Sequence, residues 1–221
     1  SQLIFSSSAT LFERIQQDVE RDLDSTYRPI RHVLSLIALH PATQARELDE
    51  RLKLLLENDI NLIAYHLPLD NHPELGNNAQ LAKVLGLMIE SGLSPMDPSI
   101  PGLIGRLPKP MPAHAFSAWL GECLQREPLH LGPNSEQMIE TIAWCTGGAQ
   151  GYMQYAVDAG VDAYLTGEVS EPSHHLAVEA GTHFFAAGHH ATERYGAKAL
   201  GEHLAAKFDV EVCFIDIDNP A

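Results

Sequence analysis

From residue 139 onward the chain alternates between short apolar runs and helical periods, and no other feature constrains its fold as much. IETIAWCTGG (139–148) reads as a buried strand entering a glycine turn, and AQGYMQYAVDAG (149–160) as a helix closed by a C-terminal glycine. VDAYLTGE (161–168) is a second strand, and SEPSHHLAVEAG (170–181) a helix with Ser170 as N-cap and Pro172 in its first turn. The strand THFFAAG (182–188), the helix HHATERYGAKALGEHLAAKF (189–208) and the strand VEVCFIDI (210–217) follow. Helices of this length between strands make crossover connections, so the pattern predicts right-handed βαβ units and a largely parallel sheet.

The first third has a related rhythm. HVLSLIALH (32–40) is strand-like, ATQARELDERLKLLLEN (42–58) an amphipathic helix, INLIAYHLPLD (60–70) a second strand and NNAQLAKVLGL (77–87) a second helix. A histidine follows an apolar run in both parts, a weak sign of internal duplication. ATLFERIQQDVERDLDS (9–25) is helical by pattern and acidic, suited to covering a sheet face or to assembly. The segment SPMDPSIPGLIGRLPKPMPAHAF (94–116) carries six prolines and reads as a loop or a set of edge strands. HAFSAWLGECLQ (114–125) is the helix after it. The expected fold is α/β and two-lobed, with mixed or parallel sheets and flanking helices. An N-terminal α/β lobe over 1–93 is followed by a proline-rich connection and helix over 94–135. A βαβαβαβ lobe over 136–221 completes what should be one structural unit.

With 221 residues and 45% hydrophobic content, the chain can bury one sizeable core or two small ones. No apolar run approaches the ~18 residues of a membrane span. The N-terminal SQLIFSSSATLFER lacks the basic and apolar regions of a signal peptide. Cys123, Cys145 and Cys213 are odd in number and widely spaced, which suits a reducing compartment and predicts a cytoplasmic protein. The net charge of −15 argues against a general nucleic-acid binder. A small anionic ligand remains compatible, because a bound dication reverses the local charge.

Ligands in open α/β sheets bind beyond the carboxyl ends of the strands. Those ends deliver His66 and Asp70, then Thr146 with Gly147 and Gly148, then Thr166, Glu168 and Glu171, then His189, His190 and Glu193. His189 and Glu193 stand i, i+4 at a helix start, a pairing that suits Zn, Fe or Mn. The plainer alternative is a glutamate complementing the helix N-terminus beside an exposed histidine. Asp70 is either a turn aspartate or a carboxylate able to bridge two cations, and Pro68 holds it in a set relation to His66. His72 reads as structural, Asn77 and Asn78 as caps of the next helix, and His174 and His175 as surface residues. CTGGAQGY (145–152) lacks the lysine and spacing of a phosphate loop and is explained as a close-packed strand-to-helix turn. Glu168 and Glu171 are candidates for a general base.

YHLPLDNHPELGNN (65–78), CTGGAQGY (145–152), DAYLTGEVSE (162–171) and FFAAGHHATERYG (184–196), in that order, resemble the GTP cyclohydrolase 1 type 2 family, also called Nif-three-like dinuclear metal proteins. The likeness runs from about residue 50 to FIDIDNP (214–220) and is closest to the short bacterial form. It implies a two-lobed α/β fold, a ring-shaped homohexamer and a two-metal site in each subunit facing the interior. Asp70, His189 and Glu193 occupy the family's metal-ligand positions, while His66 and Glu168 match family positions near that site, with a role either in supporting the ligands or in proton transfer during catalysis. The metals implied are divalent: Zn, Fe, Mn or Mg. One departure stands out: the family's early His-His-Gly motif has no counterpart in the first 130 residues, where His40 is the nearest equivalent. Residues 1–45 are atypical, and one metal instead of two becomes an option. The function implied is that of a metal-dependent hydrolase-like protein in which metal-activated water acts on a nucleotide or similar small anion. The alternatives are a non-enzymatic, metal-binding, ring-shaped scaffold or regulatory protein, and a folded relic that has lost its metal.

Overall fold

A computed structural model of the chain describes residues 66–216, 219 and 220, together with Lys53, Leu56 and Glu57. The strand expected at 32–40 with His40, the strand residues 60–65 and the helix at 9–25 lie outside the described residues. Lys53, Leu56 and Glu57 are helical, within the helix expected over 42–58. Contacts divide the chain into two compact units: Leu67–Ala199 with Asp216–Ala221, and Ser1–His66 with Leu200–Ile215.

The larger unit is built on six strands: β1 (Met88–Gly92), β2 (Leu103–Pro112), β3 (Leu129–Leu131), β4 (Met138–Trp144), β5 (Ala163–Thr166) and β6 (His183–Ala186). Their spatial order is β1-β2-β4-β5-β6-β3. β4, β5 and β6 run parallel at the centre. β1 and β2 on one side and β3 on the other add antiparallel pairings. The helices are α1 (Leu67–Asp70), α2 (Asn77–Leu85), α3 (Ala113–Leu124), α4 (Met153–Ala159), α5 (Glu171–Ala180), α6 (His189–Glu193) and α7 (Tyr195–Phe208), the last crossing into the smaller unit.

Parallel strands reached by helical crossovers are covered on both faces, so every residue of β5 and β6 is buried. Side-chain alternation then sends consecutive residues to opposite faces. Trp144, Leu165 and Phe185 pack with Leu81 and Leu85 of α2 and Phe116 and Leu120 of α3. Their neighbours Ala143, Tyr164 and Phe184 pack with Met153 and Ala156 of α4 and Ala177 of α5. The Phe116 and Phe185 rings meet edge to face, 5.1 Å between centroids at 82°. Such a pair contributes about 0.5–1.5 kcal/mol beyond its buried area.

Four sequence expectations change in detail. Residues 67–70 form a turn of helix instead of the end of a strand, with Pro68 in a first helical turn where its missing N–H costs nothing. The proline-rich segment lies inside the sheet as β2, between β1 and β4. Its ladder to β4 breaks between Arg106 and Met111, where the exposed Pro108 and Pro110 cannot donate. The helix expected over 189–208 is two helices meeting at Arg194. VEVCFIDI does not form a strand over its described residues: Val212 alone makes a bridge, and Cys213 and Ile215 are exposed. An apolar run pairs stably only where a face is covered. β1 and β3 had no sequence signal, since β1 is exposed throughout and β3 has three residues. No helix among the described residues is long and apolar enough to cross a membrane.

Candidate metal centre at the carboxyl edge of the sheet

The three parallel strands end side by side, and their turns stay in register past the last paired residue. Gly167 N–H donates to Gly147 O and Gly188 N–H to Gly167 O, each at 2.9 Å. This extended ladder presents Gly147, Glu168 and His189 along one edge.

His189 is the hub. Its Nδ1 lies 2.6 Å from Glu168 Oε1 and its Nε2 lies 2.7 Å from Glu193 Oε2. The Glu193 contact is the i, i+4 pair within α6, and Glu193 is 6% exposed. The hydrogen bond to Glu193, with that to Glu168 behind it, outweighs partial burial and raises the His189 pKa to about 9. At neutral pH the imidazolium donates from both nitrogens and is itself the cation between two carboxylates. The neighbouring His190 turns away, its Nε2 donating to Asp216 Oδ1 at 2.8 Å.

Glu193 reaches this position because Gly147 has no side chain. Gly147 adopts φ +69°, and a Cβ there would stand 2.7 Å from Glu193 Oε1. Thr192, beside Glu193, accepts Gly147 N–H on its Oγ1 at 3.1 Å and donates onward to Gly188 O at 2.9 Å. That hydroxyl locks the α6 turn against the β4 turn.

Asp70, 6% exposed, is joined to the same edge by two asparagines. Asn77 Nδ2 donates to Asp70 Oδ1 at 2.7 Å, while Asn77 Oδ1 accepts Gly196 N–H at 2.7 Å, three residues beyond Glu193. Asn78 Nδ2 donates to Asp70 O at 3.3 Å, and Asn78 Oδ1 accepts Thr146 N–H at 3.0 Å, next to Gly147. Asn77 and Asn78 are the first two residues of α2, whose N-cap is Gly76, so they are struts instead of caps. The sequence signal for this was an adjacent pair of amides, each carrying a donor and an acceptor, where one cap suffices. Asp70 also borders a cavity of about 110 Å³ lined by Asn78, Ile89, Gly102 and Leu103.

The field of this edge is felt by Cys145. Burial raises its thiol pKa most, and the Asp70 and Glu193 carboxylates raise it further, so it stays protonated and unreactive. Two buried side-chain oxygens of the β4 turn, Thr146 Oγ1 and Gln150 Oε1, have no hydrogen-bond partner among the described residues. Gln150 Nε2 contacts Glu168 Oε2 at 3.4 Å.

His189 is thus in direct contact with Glu168 and Glu193, and Asp70 is tied through Asn77 and Asn78 to the backbone of Gly196 and Thr146. His66 is half-buried, immediately precedes α1 and falls in the other compact unit. Glu171 is exposed in the first turn of α5, and His72 Nδ1 accepts the N–H groups of Glu74 and Leu75, a structural use. His174 and His175 are exposed.

The donor chemistry fits a divalent ion. Two buried carboxylates, an imidazole and a half-exposed carboxylate are oxygen and nitrogen donors of the kind Zn, Fe and Mn accept. No group of three His, Cys, Asp or Glu among the described residues is arranged around a common metal position, and both His189 nitrogens are turned to carboxylates.

A mixed α/β sheet with a carboxylate–histidine cluster beyond its parallel strands defines the class of protein. The chain belongs to the Duf34/NIF3 (NGG1p interacting factor 3) family, whose model matches residues 30–220. It is 57% identical over 171 residues to a Pseudomonas aeruginosa protein named "GTP cyclohydrolase 1 type 2 homolog", covering 77% of this chain and 67% of that one. A protein of the same name from Escherichia coli strain K12 is 51% identical with the same coverage. Among solved structures, protein ybgI, a structural-genomics target of unknown function, aligns with a TM-score of 0.77 at 46% identity, covering 85% of this chain and 74% of that one. TTHA1606 from Thermus thermophilus aligns at 0.67 and 34% identity, covering 78% and 67%.

Proposed function

We propose that the chain is a metal-dependent hydrolase-like protein acting on a nucleotide or similar small anionic substrate. The observation that carries this reading is the clasp of His189 between Glu168 and Glu193 at the strand edge, with Asp70 strutted to the same edge. Asp70, His189 and Glu193 would hold one or two divalent ions. When bound, the metal would supply a water of lowered pKa and positive charge for an anionic substrate.

The chain's own residues supply the rest. The Glu193 side chain is buried, whereas the Glu168 side chain is 46% exposed. Glu168 Oε1 accepts from His189 Nδ1 and orients that imidazole, and its exposed carboxylate is the group placed to pass protons to solvent as a general base. Asn77 keeps the Asp70 carboxylate oriented, and Asn78 holds the Asp70 backbone carbonyl. His66 is carried in the same proposal as a proton-transfer residue on the strength of the family resemblance. A ring-shaped homohexamer in the cytoplasm, without membrane or nucleic-acid partners, completes it.

The test is elemental analysis of protein purified with Zn, Mn or Fe, followed by a turnover assay on GTP and related heterocycles. A metal-to-subunit ratio of one or two, lost in Asp70→Ala, and metal-dependent turnover are expected. Stoichiometric metal without turnover on any nucleotide, with assembly lost on chelation, would replace the enzyme by a metal-binding scaffold. A ratio of zero would remove the metal from the reading altogether.

A further inference from the structure

The helix that carries His189 and Glu193 is only five residues long and ends at Arg194, so neither its own hydrogen bonds nor its length can hold it in place. Its second face is held from outside. His190 Nε2 donates to Asp216 Oδ1 and Arg194 Nη1 to Asp216 Oδ2, both at 2.8 Å. These partners are themselves an i, i+4 pair, displaced by one residue from the His189 and Glu193 pair. One carboxylate from the C-terminal segment therefore staples the helix along a stripe adjacent to the one that faces the strand edge.

A second tie meets the helix at its start. Arg126, in the connection between α3 and β3, donates from Nη1 to Pro220 O at 2.5 Å. The same guanidinium covers Gly188, the N-cap of α6, so closely that a Cβ there would stand 2.6 Å from Arg126 Nε. Gly188 has φ +95° and leaves the room that Arg126 fills. Asp216 thus meets the outer face of α6, and Pro220 meets the residue lying over its N-cap.

We propose that Asp216 and Arg126 are positioning residues: the C-terminal segment acts as a strap that sets α6, and through it the angle at which His189 and Glu193 present their donors. This rests on the metal reading given above. Neither residue would touch metal or substrate; both act through the helix. Outer partners that orient ligands typically change metal affinity by about 10–100-fold when removed.

The test uses the full chain with Co²⁺ as the probe, in competition with a chromophoric chelator. Asp216→Ala should weaken Co²⁺ binding by about 10–100-fold and alter the visible spectrum of the bound ion. Asp216→Glu should recover most of both. Arg126→Met keeps an aliphatic stem over Gly188 but loses the donor to Pro220, and should give a smaller change in the same direction. Hydrogen exchange at residues 188–193 should quicken in Asp216→Ala while the amides of β4, β5 and β6 are unchanged. Wild-type affinity, spectrum and exchange in both Asp216→Ala and Arg126→Met would overturn the strap. If the wild-type chain takes up no Co²⁺, the metal reading fails on its own, and the exchange comparison still decides the strap.

Discussion

Gly147 faces Glu193 with no room for a methyl group: a Cβ on the glycine would lie 2.7 Å from Oε1 and 2.9 Å from Oε2. The backbone at Gly147 is also left-handed, at φ +69°. Gly147→Ala should therefore cost about 1–2 kcal/mol of stability from backbone conformation alone. The larger consequence should be displacement of Glu193 from His189. Urea unfolding reads the first effect, and loss of metal uptake with the fold retained reads the second.

His189 should titrate near pH 9 in metal-free protein, well above the usual histidine value. A raised folded-state pKa means that the ion pairs stabilise the protein fully below the unfolded value of about 6.5. That stabilisation is lost as pH rises through about 9. Glu193→Gln should lower the midpoint more than Glu168→Gln, because Glu193 is the stronger partner. An NMR titration of the imidazole checks the midpoint and the two variants, and urea unfolding between about pH 6 and 10 checks the stability. A His189 midpoint below 7 in the metal-free wild type would contradict them.

Asp162 sits at the opposite end of the parallel strands and has a different task. Its Oδ2 accepts the N–H groups of Glu140 and Thr141 and the Thr141 hydroxyl, at 3.0, 2.8 and 2.8 Å. Partial burial opposes ionisation, but these hydrogen bonds outweigh it and hold the carboxyl below its usual range. Asp162→Ala should cost about 1–3 kcal/mol at neutral pH, since two backbone donors lose their acceptor. A depressed pKa stabilises above the unfolded value of about 3.9, and the benefit fades as pH falls through the folded value. The difference between variant and wild type should therefore shrink below about pH 4 in denaturation curves.

Phe116 is fully buried, and its ring meets that of Phe185 on the sheet edge to face. Phe116→Ala should cost about 3–5 kcal/mol by opening a cavity between α3 and the strands. Because Phe185 lies one residue before the last residue of β6, some of that loss should reach α6. Thermal melting measures the cost, and Co²⁺ affinity measured alongside should fall by less than in Asp216→Ala.

The βαβ rhythm after residue 139 was legible because buried parallel strands are continuous apolar runs and their helices carry glycine ends. Gly160 and Gly181 both close helices in the left-handed conformation, as the pattern required. Glu168, His189 and Glu193 could be nominated for the same reason: strand ends in such folds converge, and i, i+4 fixes the last pair. The sequence thus determined the class of fold and named the charged side chains that meet at the carboxyl edge of the parallel strands.

Tertiary structure decided the rest, wherever partners are far apart in the chain. Asn77 becomes a strut only because Gly196, 119 residues away, brings an N–H to its side chain. His190 is drawn to Asp216, 26 residues away, along a stripe of the one-turn helix adjacent to the one that carries His189 and Glu193. VEVCFIDI has the residues of a strand, yet over its described residues Val212 alone makes a bridge, with Val210, Val212 and Phe214 only half-buried and Cys213 and Ile215 exposed. Apolar pattern records which residues prefer to be buried. Which surfaces are there to bury them, and which distant donor meets which acceptor, depends on packing that no local run of residues encodes.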